Sequence, residues 1–128
     1  MSDSPESSGT VLIVEDDDAV RAVIRRALTR FGYTILAASG GEEALRIASE
    51  HAGKIDLLLT DVMMPGMNGV DVAARVSELS PGIRVFYMSG YADRELMGKG
   101  LLDADTHFLQ KPFTPQELGG RVKEILAR

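Results

Sequence analysis

The stretch Leu57-Leu58-Leu59-Thr60-Asp61-Val62-Met63-Met64-Pro65-Gly66-Met67-Asn68-Gly69 decides how this chain is read. Three consecutive leucines bounded by turn residues mark a strand buried on both faces of a parallel sheet. The strand ends in a carboxylate, Asp61, and the chain then breaks at Met64-Pro65-Gly66 and again at Asn68-Gly69. A charge at the mouth of a buried strand costs stability unless cations or hydrogen bonds offset it. Asp61 is therefore either a cap or a reactive centre, and the other strand ends must distinguish the two.

Upstream, Val11-Leu12-Ile13-Val14 predicts a central strand that ends in Glu15-Asp16-Asp17-Asp18. Val20, Ile24, Ala27, Leu28 and Phe31 then recur at helical spacing, with Arg21, Arg25, Arg26 and Arg30 off that stripe and Gly32 as the stop. Tyr33 to Ala38 predicts a second strand. Ser39 and Glu42 suggest a capping box opening a helix through Ala44, Leu45 and Ala48, closed by Gly53. Downstream, Asn68 caps a helix carrying Val70, Ala73, Val76 and Leu79, which stops at Ser80-Pro81-Gly82. Ile83 to Met88 predicts a fourth strand ending at Ser89-Gly90. A helix over Asp93 to Leu102 is weakened by Gly98 and Gly100 at about 1 kcal/mol each. Thr106 to Leu109 predicts a fifth strand ending at Gln110-Lys111-Pro112. Thr114-Pro115-Gln116-Glu117 opens a last helix with Leu118, Val122, Ile125 and Leu126 on its buried stripe. Strands alternating with helices over short connections imply an α/β fold, a five-stranded parallel sheet between two helical layers joined by right-handed crossovers.

Composition narrows the function. The 128 residues are 45% hydrophobic and 26% charged, which fits one globular domain over 10–128 behind a Ser/Asp/Glu/Pro-rich tail or linker over 1–9. No run approaches the ~20 apolar residues of a membrane span, and the first residues lack the basic and apolar regions of a signal peptide. Cysteine is absent, so there is no disulfide framework or thiolate metal site. A net charge of −5 disfavours nucleic acid as a partner, and the expected compartment is the cytoplasm.

In an open parallel sheet, ligands sit outside the carboxyl ends of the strands. The residues just past those ends are Glu15 and Asp16, Asp61, Ser89 and Lys111. Clustered carboxylates repel one another unless a hard divalent cation lies among them, and oxygen-only ligands suit magnesium. A carboxylate beside magnesium can attack a phosphoryl group and become an aspartyl phosphate, whose oxygens Lys111 and Ser89 can receive. Asp17 and Asp18 read better as caps of the first helix, its arginines as a solvated face, and His51 and His107 as structural residues. The Met63-Met64-Met67 group reads as packing around the loop, with a second role in shielding the phosphate.

In this order and at these strand ends, the acidic pair Glu15-Asp16, Asp61 with Met64-Pro65-Gly66 and Gly69, Ser89, and Lys111-Pro112-Phe113 resemble a response-regulator receiver domain of two-component signalling. The resemblance covers about residues 10 to 127. It implies a flavodoxin-like (βα)5 three-layer sandwich with strand order 2-1-3-4-5. It also implies Asp61 as phosphoacceptor and Asp16 as a direct ligand of Mg²⁺ or Mn²⁺, with Glu15 acting through water and Met63 through its backbone carbonyl. Ser89 matches a switch hydroxyl, Lys111 the cation that pairs with the phosphate, and Phe108 an aromatic switch that here lacks a hydroxyl. The Lys111-Pro112 bond is expected to be cis. Met88-Ser89-Gly90-Tyr91 and the run from Phe108 to Phe113 look most like receivers attached to sensor histidine kinases.

The partner that the resemblance implies is a histidine kinase or a histidine phosphotransfer domain, separate or fused upstream in the native chain. The domain itself is expected to be a monomer or a weak phosphorylation-linked dimer, a signalling module rather than an enzyme. Three other readings compete. A metal-dependent phosphatase normally places a second acid two residues after the nucleophile, where this chain has Met63. A flavin-binding domain would put phosphate against Glu15 to Asp18, which repel it. A pseudo-receiver that only docks partners has every motif position filled here. Met63 and Tyr91, bulky and neither acidic nor amide, are expected to hinder water and slow loss of the phosphoryl group.

Overall fold

The computed structural model describes residues 9–90 and 107–127. Its elements are β1 (Thr10–Val14), α1 (Asp18–Arg30), β2 (Thr34–Ala38), α2 (Gly41–Glu50), β3 (Leu57–Asp61), α3 (Gly69–Leu79), β4 (Arg84–Ser89), β5 (His107–Gln110) and α4 (Pro115–Leu126). All strands pair in parallel, in the order β2-β1-β3-β4-β5. The expected helix over 93–102, and Tyr91 with it, lie outside the described residues.

Side-chain alternation along the strands divides the interior into two layers. Leu12, Val14, Leu58 and Tyr87 face α2 and α3, together with Ala44, Ala48, Val72 and Val76. Val11, Ile13, Leu57, Leu59, Phe86 and Met88 face α1 and α4, together with Ile24, Leu28, Leu118, Val122 and Ile125. The leucine run is fully buried because β3 sits at the centre of the sheet with helices on both sides.

The helix termini follow their local chemistry. Asp17 caps α1 by accepting from the backbone N–H groups of Ala19 and Val20 at 2.9 and 3.1 Å. Asn68 accepts from Asp71 N–H at 2.9 Å, and Thr114 and Glu117 form a reciprocal capping box on α4 with Pro115 at its start. At α2 the expected partner is corrected from Glu42 to Glu43. Gly40 occupies the N-cap position and contributes no side chain, so Ser39 reaches Glu43 instead, through both its N–H (2.7 Å) and its Oγ (3.0 Å). That helix also stops at Glu50, before Gly53, whose φ of +78° turns the chain toward β3. Helices α1 and α4 approach closely at Gly119, where a Cβ would lie 2.2 Å from the Phe31 ring.

Candidate functional site

The sheet alternation carries past the strand ends. Glu15 continues β1, its N–H donating to Ala38 O at 3.1 Å, and Lys111 continues β5, its N–H donating to Ser89 O at 2.7 Å. Glu15, Asp61 and Lys111 therefore share the side-chain phase of Ile13, Leu59 and Leu109, the phase that faces α1 and α4. Ser89 shares the opposite phase with Tyr87 and Phe108. That split is written in residue spacing alone, and it separates the carboxylate–ammonium group from the hydroxyl.

The structure brings Glu15, Asp16, Asp61 and Lys111 together. Lys111 Nζ lies 2.6 Å from Glu15 Oε1 and 2.8 Å from Asp61 Oδ1. Glu15, Asp61 and Ser89 are buried, whereas Asp16 sits exposed at the rim. Glu15, Asp16 and Asp61 each offer a carboxylate oxygen, and these oxygens all lie within 4.8 Å of one another. Asp61 Oδ2 and Ser89 Oγ are buried and find no hydrogen-bond partner among the described residues. Buried polar atoms left this way cost free energy, so the pocket is arranged for something that supplies donors or positive charge. A hard divalent cation fits that donor set, which is all oxygen and rich in negative charge. Phe108 packs half-buried against the α2/α3 layer, and the Lys111-Pro112 bond is cis as expected.

One residue at the site carried no clear sequence signal, and one that read as a helix cap has a second contact. Arg21, expected on a solvated face, donates to the Glu15 carbonyl at 2.9 Å and pairs with Asp18 at 2.5 Å, fixing the acidic loop. Asp17 N–H donates to Glu15 Oε2 at 3.0 Å. Of the methionines, Met64 and Met67 pack on the α2/α3 layer as expected, but Met63 is 56% exposed. His51 is structural, with Nδ1 2.9 Å from Ile47 O.

Electrostatics follow from three ionisable groups sharing one partly closed space. Burial pushes the Asp61 carboxyl up to about 8, and the neighbouring Glu15 adds to this while Lys111 opposes it. Burial also works against ionised Glu15, but its hydrogen bonds with Asp61, Lys111 and Asp17 N–H hold it below the usual carboxylate range. Burial works against charged Lys111 too, and the two carboxylates outweigh it and raise the ammonium above its ordinary value. The pH dependence follows. Between about pH 4 and pH 8 the folded metal-free protein keeps a proton on Asp61 that the unfolded chain has released, so stability falls as pH rises through that window. Glu15 acts below it and Lys111 above it. Urea midpoints of metal-free protein should drop from pH 5 to pH 8, and Asp61→Asn should flatten the drop.

A family model described as "Response regulator receiver domain" matches residues 11–123. The chain belongs to that family. As a receiver domain it is a phosphoacceptor module of two-component signalling. It is 41% identical over 121 residues to a sensor kinase, CckA, of Brucella abortus (strain 2308), covering 94% of this chain and 13% of that protein. It is 38% identical to a probable transcriptional regulator of Cyanidium caldarium, covering 92% of this chain and 46% of the relative. The receiver thus spans half or less of the length of these curated relatives. Among solved structures, the receiver domain of the hybrid histidine kinase CckA superposes with a TM-score of 0.78 at 40% identity, covering 92% of this chain and 99% of that one. No helix among the described residues is long and apolar enough to cross a membrane.

Proposed function

We propose that Asp61 is the phosphoacceptor of this receiver, taking a phosphoryl group from a phosphohistidine. The observation that supports it best is the pairing of a buried carboxylate oxygen without a partner, Asp61 Oδ2, with an ammonium held 2.8 Å from the other oxygen. Asp61 attacks phosphorus, a P–O bond forms, the donor's P–N bond breaks, and its electron pair returns to the imidazole nitrogen. Lys111 then exchanges its contact with Asp61 Oδ1 for the arriving phosphoryl oxygens, and Ser89 Oγ donates to another. Asp16, Asp61 and the Met63 carbonyl would hold Mg²⁺, with Glu15 beside them. When bound, the ion neutralises phosphoryl charge in the transition state.

Movement of Ser89 toward the phosphate opens space beside Phe108, and the turning ring changes the surface offered to partners. A histidine kinase or histidine phosphotransfer domain is the donor, separate or in the same native chain. The groove of about 310 Å³ between α1 and the loop after β5 suits its approach, with Val20, Val23, Ile24, Pro112 and Phe113 around Lys111. The test is direct. With Mg²⁺ and phosphoramidate, whose P–N bond resembles that of phosphohistidine, the protein should gain one phosphoryl group by intact mass. Asp61→Asn should gain none, and equal gain by both overturns the assignment. Met63 offers an attacking water no strong hydrogen-bond partner, so Met63→Asn should shorten the phosphoryl half-life several-fold in a chase, and an unchanged half-life removes Met63 from that role.

A further inference from the structure

We propose that Met63 is a site of reversible oxidation whose sulfoxide shortens the lifetime of the phosphorylated state, an inference that rests on Asp61 as the acceptor. The loop after β3 holds three methionines with different surroundings. Met64 packs half-buried on the α2/α3 layer. Met67 also packs there and is seated against Gly41, where a Cβ would come within 2.8 Å of Met67 Cβ and 2.9 Å of its Sδ. Met88, at the end of β4, is fully buried. Met63 alone of these is open to solvent, and with Val23 it is one of the two exposed large hydrophobic side chains among the described residues.

An exposed thioether thus stands two residues beyond the carboxylate proposed as acceptor. Two residues of chain span at most ~7 Å, so the Met63 backbone lies within that distance of Asp61, close enough for its long, exposed side chain to reach the phosphoryl group. The loop is also pinned on both sides, by Val62 N–H to Met88 O at 3.0 Å and by Gly69 N–H to Val62 O at 2.8 Å. As a thioether, Met63 offers water at that edge only a weak acceptor. Hydrogen peroxide changes this. A sulfur lone pair attacks one peroxide oxygen, the O–O bond breaks and an S–O bond forms. Proton transfer then releases water, sulfur being oxidised by two electrons and peroxide reduced by two. The sulfoxide is polar and a strong acceptor, and a reductase can return it to the thioether. An acceptor at this position holds and orients a water for attack on the aspartyl phosphate, converting a shield into a guide.

The experiment uses the whole chain, treated with limiting hydrogen peroxide and then phosphorylated with phosphoramidate and Mg²⁺. Peptide mass analysis should find Met63 oxidised ahead of Met64, Met67 and Met88. The phosphoryl half-life should fall by roughly fivefold, about what one hydrogen bond to the attacking water is worth. Methionine sulfoxide reductase should restore it, and Met63→Leu should show the same half-life before and after peroxide. Equal oxidation of Met64 or Met67, an unchanged half-life, or the same shortening in Met63→Leu each overturns the proposal. Protein that never takes up a phosphoryl group, treated or not, counts instead against Asp61 as acceptor and removes the basis of both.

Discussion

Lys111→Met should cost the metal-free protein about 3–5 kcal/mol at pH 8, because Glu15 and Asp61 lose their shared cation and Asp61 must either face ionised Glu15 or take up a proton that the unfolded chain does not hold. Methionine keeps most of the apolar stem, so the loss reports the ammonium rather than packing. Two further readouts give the effect a signature. At pH 5 the cost should shrink, since Asp61 then holds a proton and the repulsion is relieved. Millimolar Mg²⁺ at pH 8 should recover much of the loss, because a divalent cation among Glu15, Asp16 and Asp61 replaces the missing charge. Urea midpoints under these conditions check all three statements. A loss under about 1 kcal/mol that ignores both pH and Mg²⁺ would mean that solvent already screens the pair.

Gly69→Ala should be nearly as damaging, for a steric reason. A Cβ at Gly69 would stand 1.9 Å from the carbonyl oxygen of Asp61 and 2.9 Å from its carbonyl carbon. No flexible side chain can yield there, because both atoms are backbone of β3. Either α3 moves off the sheet or the end of β3 moves, at roughly 3 kcal/mol or more. The second route displaces Asp61 from Lys111, and a misplacement of about 1 Å can cost ~100-fold in rate. Phosphorylation by phosphoramidate should therefore slow far more than the stability loss alone explains. A variant with wild-type stability and wild-type labelling would show that the contact relaxes freely.

Much of this is legible in the sequence. The leucine run of β3 could only be a central strand, and the acids after β1 with Lys111 after β5 placed the site, because a parallel sheet collects its strand ends on one edge. The cap at Thr114 was readable since its chemistry is local, confined to Thr114 and Glu117. What escaped was tertiary. Glu43 replaces Glu42 because the backbone at Gly40 sets where α2 begins, a matter of angle rather than composition. Arg21 was indistinguishable from Arg25 and Arg26 in sequence, and only the path of the loop above it turns its guanidinium to the Glu15 carbonyl. The exposure of Met63 was hidden for the same reason, since its packed neighbours Met64 and Met67 carry identical chemistry.

The bond between Lys111 and Glu15 joins residues 96 positions apart in sequence. A contact of such separation contributes only after the loop-closure entropy has been met. During synthesis the acids of β1 and β3 leave the ribosome well before their cation does. A chain cut short before β5 carries Asp61 with no Lys111 ammonium against it. On the proposed role of Asp61, competence to receive a signal therefore depends on Lys111 having docked against Glu15 and Asp61, a contact that a chain truncated before β5 lacks.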